Sequence, residues 1–110
     1  MLKFMVVICK RQDMSDAEFQ SYLKNIHGPL AQKLPGLRRY VQNFPQEGPQ
    51  RNRPAWDAIV ELYFDGRESM EAAWASPDGA ASDADLPLFV DLARTTWSVV
   101  EEITVLDSRS

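Results

Sequence analysis

From Leu2 to Cys9 every position except Lys3 is apolar, and branched or aromatic residues dominate (Phe4, Val6, Val7, Ile8). A short run that is apolar on both parities is the pattern of a strand covered on both faces, so a central strand is expected here. Ser15-Asp16-Ala17-Glu18 then places a hydroxyl three residues before a carboxylate, the reciprocal cap that opens a helix. Phe19, Tyr22, Leu23, Ile26, Leu30 and Leu34 follow, mostly at spacings of three and four. They predict one amphipathic helical face, with His27 beside it. Gly28-Pro29 falls within the helix, and a proline there withholds a backbone donor. The helix is expected to end or kink near His27 and to be closed by Pro35-Gly36.

Leu37 to Phe44 reads as a second strand, placed at a sheet edge by the charges of Arg38 and Arg39. Pro45 to Pro54, with three prolines and a glycine among polar residues, reads as a loop. Trp56 to Phe64 is expected as a third strand, with Trp56, Ala58, Val60, Leu62 and Phe64 on its apolar parity. Asp65-Gly66 turns the chain into a second helix, Arg67 to Ala75, with Met70, Ala73 and Trp74 on one side. Ser76-Pro77 offers a cap and first residue for a new short helix. Further helical turns are expected at Pro87 to Arg94, with Leu86, Phe89, Val90 and Ala93 inward. Trp97 to Leu106 closes the pattern as the last strand.

The order strand, helix, strand, strand, helix, strand predicts an α+β, ferredoxin-like βαββαβ subunit, a four-stranded antiparallel sheet with helices on one face. The other face would carry Lys3, Met5, Val7 and Cys9 or their neighbours, together with Ile59 and Tyr63. An apolar sheet face left bare is a liability for a monomer. A homodimer packed sheet against sheet, closing an α+β barrel across a two-fold axis, is the economical expectation.

At 110 residues the chain is long enough for one domain, expected over 1–106, with a polar tail at 107–110. Twelve Lys and Arg against sixteen Asp and Glu leave a formal charge of −4, which offers no electrostatic footprint for nucleic acid. Cys9 is the only cysteine, so an internal disulfide and a paired-cysteine zinc site are both ruled out. The apolar opening is followed rather than preceded by its charges, unlike a signal peptide. No run approaches the ~20 apolar residues that span a bilayer. A cytoplasmic protein without membrane contact is expected. There is no phosphate-cradling glycine loop or nucleotide fingerprint, and one histidine supplies no recognisable metal-ligand set. Neither cofactor nor metal is expected.

His27, the only histidine, reads either as a helix-end residue near free carbonyls or as a proton-transfer group in a pocket. Tyr40 on the second strand is either a rim aromatic or a hydrogen-bond donor to a carbonyl or alkoxide. Trp56, Trp74 and Trp97 are core or binding platform, and Cys9 reads as an inert core thiol. Asp57 and Glu61, two pleats apart, are expected as cross-strand partners of Arg38 and Arg39. Asp85, before Leu86-Pro87, reads as a helix cap.

The run Ile26-His27-Gly28-Pro29-Leu30-Ala31, with Leu34-Pro35-Gly36-Leu37-Arg38-Arg39-Tyr40-Val41-Gln42-Asn43 behind it, resembles the hallmark of the EthD family. Trp56 to Asp65, followed by Ala75-Ser76-Pro77, is similar to the family's second block, and the likeness runs from Leu2 to Leu106. The resemblance implies the ferredoxin-like dimeric barrel and a pocket between sheet and helices, lined by the motif's histidine and tyrosine, here His27 and Tyr40. Members are associated with the breakdown of ethers and aromatics, and relatives act as lactone isomerases or on polyketide-like rings. An oxidoreductase label in the family is inherited from ether-degradation gene clusters. In the methylmuconolactone methylisomerase branch a third-strand cysteine assists the histidine; Leu62 stands at that position here. The expected activity is that of a small cofactor-independent catabolic or tailoring enzyme of isomerase or lyase type, acting on an apolar carbonyl-bearing molecule. His27 would move a proton, Tyr40 would hold the oxyanion, and Trp56, Leu62, Phe64, Met70, Trp74 and Phe89 would wall the pocket. The alternatives are a carrier of an apolar metabolite for a partner oxidoreductase, and a haem-binding relative using His27 as axial ligand.

Overall fold

The structure, a computed structural model, describes residues 1–46 and 53–109. Most of the expected Pro45–Pro54 loop, and the final residue of the expected tail, lie outside the described residues. Strands β1 (Leu2–Ile8), β2 (Arg39–Asn43), β3 (Ala58–Phe64) and β4 (Thr96–Glu101) form one antiparallel sheet in the order β2-β3-β1-β4. β1 is central and β2 lies at an edge, as the charge and apolar patterns predict. Between β1 and β2 run helix α1 (Asp16–Tyr22), a π-helical turn at Leu23–His27 and helix α2 (Gly28–Ala31). Between β3 and β4 run helices α3 (Arg67–Ala75) and α4 (Pro77–Asp85) and a 3-10 turn at Leu86–Leu88. This is the βαββαβ ferredoxin-like arrangement.

Register decides what each face holds. Phe4 lies opposite Leu62 and Val99, Val6 opposite Val60 and Trp97, and Tyr40 opposite Leu62. Paired residues of an antiparallel sheet share a face, so this face carries the apolar parity of β1 and β3 together. Val6, Ile8, Ala58, Val60, Leu62 and Phe64 are buried on it against Phe19, Leu23, Leu34, Met70, Ala73 and Phe89 from the helical layer and its flanking segments. Complete burial of one such side chain contributes ~1.5–3 kcal/mol.

α1 opens as its capping box predicts: the Glu18 N–H donates to Ser15 Oγ (3.1 Å) and the Ser15 N–H to Glu18 Oε1 (2.9 Å). The helix then differs from a regular amphipathic one. The chain stays helical through Gly28-Pro29, because the π-helical turn absorbs the proline. In an α-helix the Pro29 ring would collide with the carbonyl of Asn25. The wider turn, with the Gly28 N–H on the Leu23 carbonyl, removes that conflict. One extra residue in the turn shifts the phase. Ile26, expected inward, is 52% exposed, and His27 is 6% exposed in its place. The buried stripe is therefore Phe19, Leu23, His27 and Ala31, each four apart.

The expected helical turns at Pro87–Arg94 are displaced. Ser76 caps α4, its Oγ accepting from the Gly79 N–H at 3.1 Å, and the helix runs to Asp85 before Pro87, lacking an N–H, leaves only a 3-10 turn. The buried residues of α4 are Gly79 and Ser82, whose small side chains leave no hydrophobic period to read. Phe89 and Val90 are buried as expected, but Ala93 is exposed. β4 also stops early, at Glu101 opposite Leu2, where its partner β1 begins; residues 102–109 are exposed coil.

The other sheet face is less apolar than expected. Met5, Val7, Val41, Ile59 and Val100 are half-buried on it, but Lys3 crosses to Glu61 (2.7 Å) and Glu102 (3.1 Å). Asn43 adds a bond to Glu61 at 2.8 Å. The Glu61 contact raises the Lys3 pKa above that of an ordinary lysine, and Lys3 in turn lowers that of Glu61. Tyr63, expected bare, is buried beneath Lys3 and Arg39, and its hydroxyl donates to Glu102 at 2.8 Å. The expected pairing of Asp57 and Glu61 with Arg38 and Arg39 is corrected. Arg38 binds Asp65 (2.8 Å), and Asp57, before β3 begins, takes Arg53 and the Lys10 N–H, both at 2.8 Å. Cys9 is buried beyond the end of β1, with Ala55 O 3.5 Å from its Sγ and its N–H on Thr95 Oγ1 at 3.0 Å.

Candidate functional site

The phase shift caused by Pro29 aims the only imidazole into the space between helices and sheet. There the Asp85 carboxylate, at the end of α4, meets His27 Nδ1 at 2.9 Å. Its other oxygen accepts the Tyr22 hydroxyl at 2.7 Å. Both side chains of the pair are largely buried, 8% and 10% exposed. A carboxylate only accepts, so Nδ1 carries the proton, and in the neutral ring Nε2 is then the basic nitrogen. Phe89 lies under the assembly, its ring centroid 4.9 Å from His27 and 4.8 Å from Tyr22. Burial, reinforced by the bond to Asp85, pushes the Tyr22 pKa up to about 12, so this hydroxyl keeps its proton throughout the neutral range.

Tyr40 stands on β2, half-buried. Its hydroxyl oxygen accepts Gln42 Nε2 at 2.9 Å, and the same amide reaches the Leu23 carbonyl at 3.0 Å. The phenolic proton therefore remains for another acceptor. Burial raises the Tyr40 pKa, and the Gln42 bond lowers it in part. Gly28 permits this contact: a Cβ there would lie 3.1 Å from the Leu23 carbonyl oxygen and 3.3 Å from Gln42 Nε2.

His27 and Tyr40 line one narrow cavity between helices and sheet, in which the centre of a water-sized sphere can sweep about 30 Å³. β1 contributes Phe4, Val6 and Ile8 to the wall, β3 Val60 and Leu62, and β4 Trp97. The helical side adds Leu23, Ala31, Trp74, Ser82, Asp83 and Leu86. Apolar walls with a few convergent polar groups are the usual make-up of a small-molecule site. Of the wall residues expected from sequence, Leu62 and Trp74 line the cavity. Phe64 and Met70 lie in the core, Phe89 backs His27, and Trp56 stands before β3, all four outside the lining. Asp85 is not a side-chain cap but the partner of His27, a contact across 58 positions that no local pattern announces. The β1 wall was missed because its even positions read only as core. Among the described residues no three His, Cys, Asp or Glu side chains gather as a metal site. No helix there is long and apolar enough to cross a membrane.

A family model described as the EthD domain matches residues 11–93. An uncharacterized 11.0 kDa protein of the thcB-thcC intergenic region of Rhodococcus erythropolis is 28% identical over 103 residues, covering 94% of this chain and 98% of that protein. Among solved structures, an ethyl tert-butyl ether d (EthD) family protein of Bacillus halodurans matches with a TM-score of 0.78 at 26% identity. That match covers 94% of this chain and all (100%) of the other. SnoaB of Streptomyces nogalater, a cofactor-independent oxygenase, matches with a TM-score of 0.66 at 14% identity, over 96% of this chain and 95% of its own. A likeness at that identity is one of fold alone.

Proposed function

The chain belongs to the EthD family, and from that premise we propose that it is a cofactor-independent enzyme moving a proton on an apolar, carbonyl-bearing molecule. The carrying observation is the Asp85–His27 contact of 2.9 Å at the wall of an apolar cavity. His27 Nε2 takes a proton from the carbon beside the carbonyl, the electron pair moves onto the carbonyl oxygen, and the Tyr40 hydroxyl donates to that oxygen. Return of the proton to another carbon gives an isomerisation; expulsion of a leaving group gives an elimination. Asp85 fixes the tautomer and offsets the imidazolium that forms, and Tyr22 holds Asp85. Aromatic, lactone, ether-derived and polyketide-like compounds all fall within this class.

Because His27 is the only histidine, its ring signals need no assignment against others in an NMR titration. They are expected to shift when a ketone or aromatic lactone enters the cavity. A ring indifferent to every compound that shifts Leu62 and Trp74 would overturn the role of His27. Binding without turnover would leave a carrier of apolar metabolites.

The half-buried apolar residues Met5, Val7, Val41, Ile59 and Val100 on the helix-free sheet face support assembly as a homodimer through that face. Light scattering at micromolar concentration is expected to give twice the 12.5 kDa of one chain. A mass of one chain at neutral pH and moderate salt would contradict it.

A further inference from the structure

Beyond β4 the chain runs on as exposed coil, but its first residues have the composition of a strand. Ile103-Thr104-Val105 are strand formers, and they carried the expected last strand on to Leu106. The strand stops at Glu101 for want of a neighbour, because Glu101 already pairs with Leu2, where β1 begins. No strand among the described residues lies beside 102–106. Ile103 is 73% exposed, Val105 94% and Leu106 83%. Large apolar side chains on a backbone without a ladder partner are a template for another chain.

The root of this segment is fixed. The Glu102 carboxylate accepts the Tyr63 hydroxyl at 2.8 Å and Lys3 Nζ at 3.1 Å, so the segment starts from the helix-free face. Sheets packed face to face lie ~10 Å apart, a gap that about three extended residues cross. A two-fold axis parallel to the strands lays β4 over β2 of a second copy, antiparallel to it. In the sheet Glu101 is level with Leu2 and Arg39 with Lys3, one residue apart. That axis therefore brings the exposed Glu101 beside the exposed Arg39 of the second copy, and opposite charges favour it. We infer that residues 102–106 are an arm that crosses to a second copy and docks at the Arg39 end of its β2, burying Ile103, Val105 and Leu106 there. The inference rests on the homodimer proposed above and names the segment that locks it.

The test uses the full chain. Light scattering over a dilution series gives the dimer Kd, and hydrogen exchange read by mass spectrometry follows a peptide covering 102–106. Wild type is expected to be a dimer in which these amides are protected, and to lose that protection on dilution to monomer. Ile103→Ser combined with Val105→Ser is expected to raise Kd at least a hundredfold, since each arm loses two apolar anchors. Thr104→Pro keeps both anchors but withdraws one backbone donor per arm, and should raise Kd roughly tenfold. Arg39→Glu should also weaken the dimer, and Glu101→Arg in the same chain should restore it. All these positions are exposed in one chain, so circular dichroism of the diluted monomers should match wild type. A dimer whose 102–106 amides exchange freely, or whose Kd ignores the Ser and Pro variants, would overturn the arm and leave the homodimer standing. Protection that persists in the monomer would place the segment on its own chain and overturn the arm as well. A charge swap that restores nothing would overturn docking at Arg39. A chain that is monomeric at every concentration would end the homodimer reading and this inference with it.

Discussion

Asp85→Asn is expected to lower the proton-transfer rate by about 10²–10⁴, nearly as much as His27→Ala, with little change in the fold. An asparagine matches the carboxylate in size, but its amide can present N–H groups to Nδ1. The ring would then keep its proton on Nε2, the nitrogen that has to act as base. Because the two residues work as one unit, the double variant should be barely slower than either single one. Tyr22→Phe should cost less, since it removes only the second bond to Asp85, 2.7 Å long. A suitable measurement is hydrogen–deuterium exchange at the carbon beside the carbonyl of a bound aryl ketone such as 1-indanone, followed by NMR. Wild type should exchange that proton, and the exchange should be largely lost in Asp85→Asn. A variant that is less stable but exchanges at the wild-type rate would reduce the pair to a structural contact.

The largest loss of stability is expected from Phe89→Ala, about 3–5 kcal/mol. Phe89 is 0% exposed, and its ring touches Phe19 (centroids 5.9 Å apart) as well as Tyr22 and His27. Truncation would leave a void under three aromatic rings, beneath the histidine that the mechanism requires. Against a total stability of roughly 5–15 kcal/mol for a domain, that loss should lower Tm by more than about 10 °C. Phe89→Leu, which keeps most of the volume, should lose much less. Thermal and urea unfolding of the three proteins checks this, and a Phe89→Ala loss below about 1 kcal/mol would contradict it. Any Phe89→Ala protein that remains folded should also bind 1-indanone less tightly, because the His27 ring has lost its support.

Local pattern carried much of this protein. Alternation placed Ala58, Val60, Leu62 and Phe64 on one face of β3, and apolar residues on both parities marked β1 as central without choosing which of its faces meets the helices. Ser15 and Glu18 announced the start of α1, and Ser76-Pro77 that of α4. Each of these is settled by residues a few positions apart, whose spacing records which side of a strand or helix meets apolar surroundings. His27 and Tyr40 stood out by residue type and by the EthD motif.

What the tertiary structure alone decided is the chemistry around them. Pro29 forces a π-helical turn whose extra residue exchanges Ile26 for His27 on the buried stripe, and a regular 3.6-residue period cannot show that. α4 packs through Gly79 and Ser82, small residues that leave no apolar rhythm, so its course was hidden and Asp85 read as a cap. The contact of Asp85 with His27 spans 58 positions. It depends on where separate elements come to rest against each other, and no spacing along the chain encodes such a distance.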